Sequence, residues 1–450
     1  MSARELHFIN VTLPLSDERG LFELKAVGGR WTSIVPQETV LSGDGSFVPM
    51  SALAGEMSRL KAAGRIDLQG YMMLPGFVDA HMHLDKAYSL SQVGNASGTL
   101  LEAIANYGAA APSFSKEDIR GRIRKAALRA LSYGTTTIRT HLDFRLRSGI
   151  EVAFRTIYAA LEVREELKGI VDMQLFPMCP YDRLTTAEQD AIEEALRLGM
   201  DGMGGAPHLS ETPESDIDRI FATAARWGKP IDLHADESDD PSKQTVAYIA
   251  EKAVEYGYGG KVTVDHLCSL SAMDTRRAEE IIGRIKATGL SAVTLPPVNM
   301  YLQGRGDSGL IRRGTTRIRE LLDAQVPLAV ASDNIQDPFH PFGQGDLLKI
   351  GLVTAYAAHM GSSADLHALL RMMTEVPAGI LGLTGYGIAE GHSADFVLID
   401  ALRADDLFTE LPVGRTVYKQ GRPLYTSVQQ SAWGLEELDR TEEQAQYRLA

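Results

Sequence analysis

From about residue 70 onward, short runs of apolar residues alternate with segments that have helical periodicity. The runs are continuous rather than alternating, which is typical of strands buried on both faces of a parallel sheet. Eight such runs lie at 73–81, 135–143, 171–178, 200–208, 230–237, 261–267, 290–298 and 327–334. Eight strands joined by helices predict an α/β fold, a (β/α)8 barrel of the TIM type.

The segments between the runs carry signals for helix ends. Residues 213–228 place their apolar side chains on one face, open on a proline and finish on a glycine. The segment 240–254 predicts the next helix, with Asp240 near its start. Thr185 and Glu188 form a candidate capping box for another helix.

The two ends of the chain depart from this alternation. They contain extended patterns that are interrupted by Gly, Pro, Asp and Ser. We therefore predict a small β-sandwich domain built from residues 1–70 and from residues 386–450, which also carry a tail. The barrel would occupy residues 71–385.

Composition narrows the class of protein. Of the 450 residues, 44% are apolar and 23% are charged, as in ordinary globular proteins. The net charge of −14 argues against a nucleic acid or an anionic membrane surface as partner. No apolar run approaches the roughly 20 residues of a membrane span. Two cysteines, Cys179 and Cys268, and a charged N terminus without a signal-peptide pattern lead us to expect the cytoplasm.

Metal-ligating residue types gather at the ends of several predicted strands, where barrel enzymes carry their catalytic groups. His81 and His83 are two positions apart on the first strand, so their side chains point to the same side. The ends of strands five, six and eight add His234 with Glu237, His266 and Asp333. Three imidazoles and a carboxylate suit one divalent ion, Zn²⁺ or Fe²⁺, with Mn²⁺ also compatible.

The other histidines have simpler explanations. His141 and His208, at the ends of strands two and four, are expected to be hydrogen-bonded histidines of the rim rather than metal ligands. The remaining candidates are expected at the surface or in packing, namely His340, His359, His367 and His392.

Longer motifs resemble a known family. LPGFVDAHMHLDK, IDLHADESDD, VTVDHL and ASDNIQDPFHPFGQGDLL resemble segments of the amidohydrolase superfamily, and GGAPH and PPVNMYLQGR extend the likeness. Within it the chain is most similar to the branch of cytosine deaminase and N-isopropylammelide isopropylaminohydrolase. The resemblance implies that His81, His83, His234 and Asp333 bind one metal ion. It also implies that Glu237 and His266 carry out the proton chemistry, and the absence of Lys at the end of strand four favours a mononuclear site.

The chemistry of these groups agrees with that assignment. A bound metal ion lowers the pKa of its water towards roughly 7 and so supplies hydroxide at neutral pH. Asp333 can accept the proton, His266 can orient the hydroxide, and Glu237 can protonate a ring nitrogen and then the leaving amine. Alternatively, Glu237 is a carboxylate that supplies negative charge at the start of a helix. Asp239 and Asp240 can already supply that charge.

Five residues are candidates for substrate binding: Lys86, Met178, His208, Asn334 and Phe339. Compared with cytosine deaminases, Met178 replaces a Gln, Asn334 an Asp and Phe339 a Trp. These differences argue against cytosine and suit a flatter, more apolar or N-alkylated ring. Lys86 is alternatively explained as a rim lysine that pairs with Asp85. Met178 and Phe339 are alternatively explained as residues that fill the core.

The sequence therefore predicts a metal-dependent hydrolase of an exocyclic C–N bond on a small heterocycle such as a pyrimidine or triazine. Ring-opening hydrolysis of a cyclic amide is the alternative reaction. A barrel that binds without turnover is the alternative from another class, although every ligand and acid residue is present. The resemblance alone predicts a homo-oligomer.

Overall fold

The computed structural model describes residues 5–37, 65–180, 182–309, 312–429 and 434. The described chain forms two compact units. One combines the residues up to Phe77 with those from Thr384 onward, and the other runs from Val78 to Leu383. Residues 38–64 and most of the chain after 429, which the predicted small domain includes, lie outside the described residues.

The strands divide between these two units. The first five are β1 (Glu5–Thr12), β2 (Leu21–Val27), β3 (Arg30–Gln37), β4 (Ile66–Asp67) and β5 (Met72–Pro75). The next eight are β6 (Phe77–Met82), β7 (Thr135–Asp143), β8 (Asp172–Met178), β9 (Met203–Gly205), β10 (Ile231–Ala235), β11 (Val262–His266), β12 (Ser291–Thr294) and β13 (Leu328–Val330). The last three are β14 (Phe396–Ile399), β15 (Arg415–Lys419) and β16 (Arg422–Ser427).

Strands β6 to β13 form the predicted barrel. They lie in chain order in one sheet, as expected for strand–helix repeats. The barrel is closed by a parallel bridge between Met82 and Asp333, beside which the Asp333 N–H donates to the His81 carbonyl at 2.8 Å. The carboxyl ends of the strands therefore meet in one ring, and this ring positions the candidate site.

Helices lie between these strands and after the last of them. In chain order they are α1 (Leu100–Ala110), α2 (Lys116–Ser132), α3 (Ile150–Glu166), α4 (Thr186–Arg197), α5 (Pro213–Trp227), α6 (Thr245–Glu255), α7 (Thr275–Ala287), α8 (Pro296–Leu302), α9 (Ile318–Asp323), α10 (Leu347–Ala357), α11 (Ser363–Met372), α12 (Glu375–Ile380) and α13 (Asp406–Thr409). The capping box at Thr185 and Glu188 is confirmed, as is the helix that ends before a left-handed Gly228.

Several predicted boundaries are wrong. The run at 73–81 contains two strands, β5 and β6, which belong to different sheets. The strand expected over 200–208 covers only Met203–Gly205, and a short 3₁₀ helix follows it. The helix expected from Asp240 begins five residues later, because the Asp236 carboxylate caps it by accepting from the N–H groups of Thr245 (2.8 Å) and Val246 (3.1 Å). The strand expected over 290–298 stops at Thr294, because Pro296 opens helix α8, where a proline loses no intrahelical hydrogen bond.

The small domain is one mixed sheet of eight strands that folds over a single apolar core. The order is β16-β15-β14-β5-β1-β2-β3, and β4 pairs with β1. Strands β3 and β14 are distant in that order, yet the rings of Trp31 and Phe396 lie 5.1 Å apart across the core. The layers of the predicted sandwich are therefore parts of one curled sheet.

Among the described residues, no helix is both long enough and apolar enough to cross a bilayer.

Candidate metal centre and active site

Four predicted ligands converge at the carboxyl end of the barrel. His81 and His83 come from β6 and the residue after it, His234 from β10, and Asp333 follows β13. His83 Nε2 lies 3.1 Å from His234 Nε2 and 3.3 Å from Asp333 Oδ1. His81 Nε2 lies 3.5 Å from the same Asp333 oxygen. All four side chains are buried.

These spacings fit a tetrahedral metal ion. Ligand atoms about 2.0–2.2 Å from such an ion lie roughly 3.3–3.6 Å from one another. Within the described residues, His81 Nε2 and both carboxylate oxygens of Asp333 have no hydrogen-bond partner. Buried polar atoms normally have a partner, so these atoms have the position and the free lone pairs of metal ligands. The His/Asp cluster can therefore hold a divalent ion.

The second ring nitrogens of two histidines are held by the chain. His81 Nδ1 lies 2.9 Å from Asp265 Oδ2, and His83 Nδ1 lies 3.0 Å from the His141 carbonyl. Each contact places the ring proton on Nδ1 and leaves Nε2 free towards the centre, as metal-bound histidines commonly require.

Asp265 was not among the residues predicted from the sequence. It directly precedes His266 on β11, a strand that is buried throughout. A charged residue inside such a strand needs a partner, and this is the signal that could have identified it.

His141 does not behave as a hydrogen-bonded rim histidine. Neither of its ring nitrogens has a hydrogen-bond partner among the described residues, and its ring centroid lies 4.2 Å from that of His81. Ligand atoms of His81, His141, His234 and Asp265 also lie within 4.8 Å of one another. His141 thus belongs to the buried cluster beside the predicted ligands.

Glu237 and His266 lie next to this cluster. A Glu237 carboxylate oxygen is 3.7 Å from His266 Nδ1, and one His266 nitrogen lies within 4.8 Å of ligand atoms of His81 and Asp333. Burial, with a further contribution from the charge of Asp333, raises the pKa of Glu237 to about 8. Burial lowers the pKa of His266 well below its usual value. At neutral pH the site therefore holds a protonated carboxyl beside a neutral imidazole.

Asp333 has the opposite protonation tendency. Burial would raise the pKa of this carboxyl, but its contacts with His81 and His83 outweigh burial and hold the pKa well below the ordinary value. Two carboxyl groups in one site thus differ at neutral pH, since Glu237 is protonated and Asp333 is ionised. Such a division is a common signature of acid–base sites.

Three residues at the ends of barrel strands have left-handed backbones. The φ angles are 52° at Asp236, 67° at His266 and 59° at Asp333. Left-handed conformations are unfavourable for most L-residues but less so for Asp and His. These turns bend the chain immediately after the strands and direct the side chains at the strand ends. Asp236 uses the same turn to cap α6, so the capping role considered for Glu237 belongs to Asp236.

The predicted substrate residues fall into two groups. Lys86 and Phe339 lie together, with the Lys86 ammonium 4.7 Å from the centre of the Phe339 ring. The Lys86 ammonium lies 3.5 Å from a carboxylate oxygen of Asp143, whereas Asp85 accepts a hydrogen bond from the Asp143 N–H at 3.0 Å. The pairing of Lys86 with Asp85 considered from sequence is therefore wrong in its partner.

Met178 and His208 stand on another side of the site. Met178 is half-buried and lines a cavity of about 420 Å³ together with Asp143 and Pro207. His208 is buried, and its Nδ1 lies 2.9 Å from the His234 carbonyl, as expected for a hydrogen-bonded histidine. The Nε2 atom of His208 has no hydrogen-bond partner within the described ranges.

Asn334 uses its amide within the chain. Its Nδ2 donates to Asp337 Oδ2 at 2.7 Å, so one of the two amide hydrogens of Asn334 is engaged within the chain. Of the histidines assigned to the surface or to packing, His340 is buried, His359 is exposed, and His367 and His392 are half-buried.

Comparison with known proteins identifies the family. The model of the amidohydrolase family matches residues 65–113 and 90–425. A pterin deaminase of Rhizobium rhizogenes (strain K84) is 33% identical over 368 residues, which cover 81% of this chain and 83% of that protein. An N-isopropylammelide isopropyl amidohydrolase of Pseudomonas sp. (strain ADP) is 28% identical over 372 residues, covering 79% of this chain and 87% of that one.

The fold agrees with a solved structure. The crystal structure of 5-methylcytosine deaminase from Klebsiella pneumoniae, liganded with 5-fluorocytosine, superposes with a TM-score of 0.84 at 29% identity. The match covers 95% of this chain and 99% of that one. These comparisons confirm the resemblance found in the motifs, and the chain belongs to the amidohydrolase family.

Proposed function

We propose that this chain, a hydrolase of carbon–nitrogen bonds by its family, is a metal-dependent aminohydrolase of a small nitrogen heterocycle. Water would replace an exocyclic amino or alkylamino group on the ring with oxygen. One observation carries the proposal. Four ligand-type side chains converge at 3.1–3.5 Å spacings beside a buried carboxyl that is protonated at neutral pH.

His81, His83, His234 and Asp333 are proposed to hold one divalent ion. Three imidazoles and one carboxylate suit Zn²⁺ or Fe²⁺, and Mn²⁺ is also compatible. When bound, such an ion acts as a Lewis acid that lowers the pKa of water to about 7. The end of β9 carries Gly204 and Gly205 rather than a lysine that could bridge two ions, which supports a single-ion site.

The chain's own groups manage the protons. Asp333 stays ionised and can take a proton from the attacking water. Glu237 can give its proton to a ring nitrogen and, after receiving another, to the departing amine. Proton delivery by a positioned group contributes about 10²–10⁴-fold to rate, and an amine leaves poorly without it. His266, neutral and buried, can donate a hydrogen bond to the oxygen that develops charge.

Lys86 and Phe339 are proposed to bind the ring. The Phe339 face is an apolar surface for a flat heterocycle, and the Lys86 ammonium offers three donors to a ring oxygen. Met178, His208 and Asn334 are proposed to border the substrate, with the adjoining cavity leaving room for a ring larger than a single pyrimidine. The names of the similar proteins, a pterin deaminase and a 5-methylcytosine deaminase, agree with an aminated ring.

Product analysis by mass spectrometry tests the proposal. Zn²⁺-loaded and Fe²⁺-loaded protein would be incubated with pterin, cytosine, 5-methylcytosine and an N-alkylamino triazine, with chelator-stripped protein as the control. We expect replacement of an amino group by oxygen with at least one ring, and loss of turnover after metal removal. A product that has gained only water would instead establish ring opening. Binding without any product, with or without metal, would favour the non-catalytic barrel.

The proposal extends to a homo-oligomeric enzyme of the cytoplasm. The homo-oligomer rests on family resemblance. The cytoplasm rests on a cysteine content of only two residues, Cys179 and Cys268, in a chain of 450.

A further inference from the structure

The PPVNMYLQGR motif has no role in the site as described so far. The structure places it in helix α8 and the turn that follows, directly after β12. Asn299, in the middle of this motif, is fully buried. A buried side-chain amide normally has hydrogen-bond partners.

Asn299 contacts the proposed hydrogen-bond donor of the site. Its Nδ2 atom lies 3.0 Å from His266 Nδ1. An amide nitrogen can only donate, so His266 Nδ1 must accept and the single proton of the neutral ring must sit on Nε2. His266 Nε2 is buried and has no hydrogen-bond partner among the described residues, so its proton is available to a bound molecule.

The other groups near His266 Nδ1 do not fix this tautomer. The Glu237 carboxyl stands 3.7 Å away, beyond hydrogen-bond distance. If Nδ1 carried the proton, a carboxylate at this place could attract it, and Nε2 would lose its donor. The amide of Asn299 opposes that arrangement because it presents N–H to Nδ1.

We propose that Asn299 is a positioning residue that fixes His266 in the tautomer with its proton on Nε2. The inference rests on the proposed function, in which His266 must donate to the developing oxyanion. A group that sets a histidine tautomer through the second ring nitrogen is a common device in metal and acid–base sites.

The end of the same motif holds the loop that carries Glu237. The Gly304 N–H donates to the Asp239 carboxylate at 2.7 Å, two residues past Glu237. Gly304 has a φ of +73°, and a Cβ at this position would stand 2.0 Å from the Arg312 carbonyl. Only glycine fits there. One short segment therefore contacts His266 directly and the loop of Glu237 two residues away.

Asn299→Asp is the sharpest test, because it replaces the donor by an acceptor of the same shape. Zn²⁺-loaded protein labelled with ¹⁵N-histidine would be examined by NMR of the ring nitrogens, with His266 assigned through His266→Gln. We expect protonated Nε2 in the wild type and protonated Nδ1 in Asn299→Asp. With the best substrate, kcat should fall by about 10–100-fold, as for other residues that orient a site histidine. KM should stay within about threefold.

Two further variants complete the test. Asn299→Ala removes the donor without adding an acceptor and should give a mixture of tautomers with an intermediate kcat. Asn106→Asp, the same change on α1, should leave both the His266 spectrum and kcat unchanged. The proposal is wrong if His266 stays protonated on Nε2 in both Asn299 variants, whatever happens to kcat. The NMR result needs no substrate, so it stands even if the proposed reaction itself is not found.

Discussion

The small domain and the centre of the barrel bury their side chains in opposite ways. The small domain packs aromatic and aliphatic residues together, with Phe396 stacked on Tyr418 at 4.4 Å and in contact with Phe8 and Trp31. The barrel centre buries His81, His141, Asp265 and Asp333 almost completely, and several of their polar atoms have no hydrogen-bond partner within the described chain.

This difference indicates that the small domain contributes mainly to stability and the barrel centre mainly to chemistry. Apolar burial stabilises a fold in proportion to the area removed from water. A buried polar atom without a partner costs about 1–3 kcal/mol. The barrel centre therefore carries an energetic cost that its packing does not offset. The proposed metal ion and substrate would supply partners for these polar atoms. Changes in the two regions should accordingly alter different measured quantities.

The largest expected effect is loss of turnover in Glu237→Gln. The amide has the shape of the carboxyl but cannot transfer its proton, so kcat should fall by about 10²–10⁴-fold. Metal content and melting temperature should stay near the wild-type values. Glu165→Gln, at an exposed carboxylate on α3, is the matched control. Retention of most activity in Glu237→Gln would remove Glu237 from the proton path.

Phe396→Ala should give the reverse pattern. The variant leaves a cavity among Phe8, Trp31 and Tyr418, and the cost for a buried phenylalanine is about 3–5 kcal/mol of unfolding free energy. We expect a lower midpoint in denaturant, with kcat of the remaining folded protein unchanged. Tyr425→Ala, at an exposed position of β16, is the control for the sheet surface. A loss of kcat in folded Phe396→Ala would show that the two regions are not separate in function.

The smallest expected effect is on the pH profile. Glu237 acts as an acid, and its pKa of about 8 keeps it protonated at neutral pH. As the pH rises through about 8, the carboxyl ionises, and kcat/KM should fall tenfold per pH unit above that point. Rates would be measured from pH 6 to 10, with circular dichroism at each pH to show that the fold persists. A flat profile to pH 10 contradicts the assigned acid.

Most of the architecture could be predicted because a parallel barrel leaves a strong pattern. Buried strands give continuous apolar runs, and each of the eight runs overlaps one strand of the barrel. The run at 290–298 was read too long, since PPV is apolar in a strand and equally apolar at a helix start. Hydrophobicity alone does not distinguish the two, and only the proline at Pro296 offered a signal.

The site shows the same limit. Placement at strand ends and the family resemblance together predicted His81, His83, His234 and Asp333 as one ligand set. In the structure the contacts between their ligand atoms measure 3.1–3.5 Å. Asp265 contacts His81 from a strand 184 positions along the chain, and Asn299 contacts His266 from a neighbouring helix, so their partners could not be predicted from sequence spacing. The substrate side was the least predictable, because contacts such as the hydrogen bond from Asn334 to Asp337 orient a side chain in a way that no residue pattern specifies.

The bridge that closes the barrel links architecture to ion binding. The Asp333 N–H meets the His81 carbonyl, and the side chains of the same two residues are proposed ligands. Side chains on a strand change face with every residue, so a slip of one position would turn Asp333 away from the centre. The pairing of β6 with β13 therefore fixes the positions of both ligands. Substitutions in loops can change substrate preference gradually. A one-residue insertion in β6 or β13 would instead shift this pairing and separate the ligand side chains.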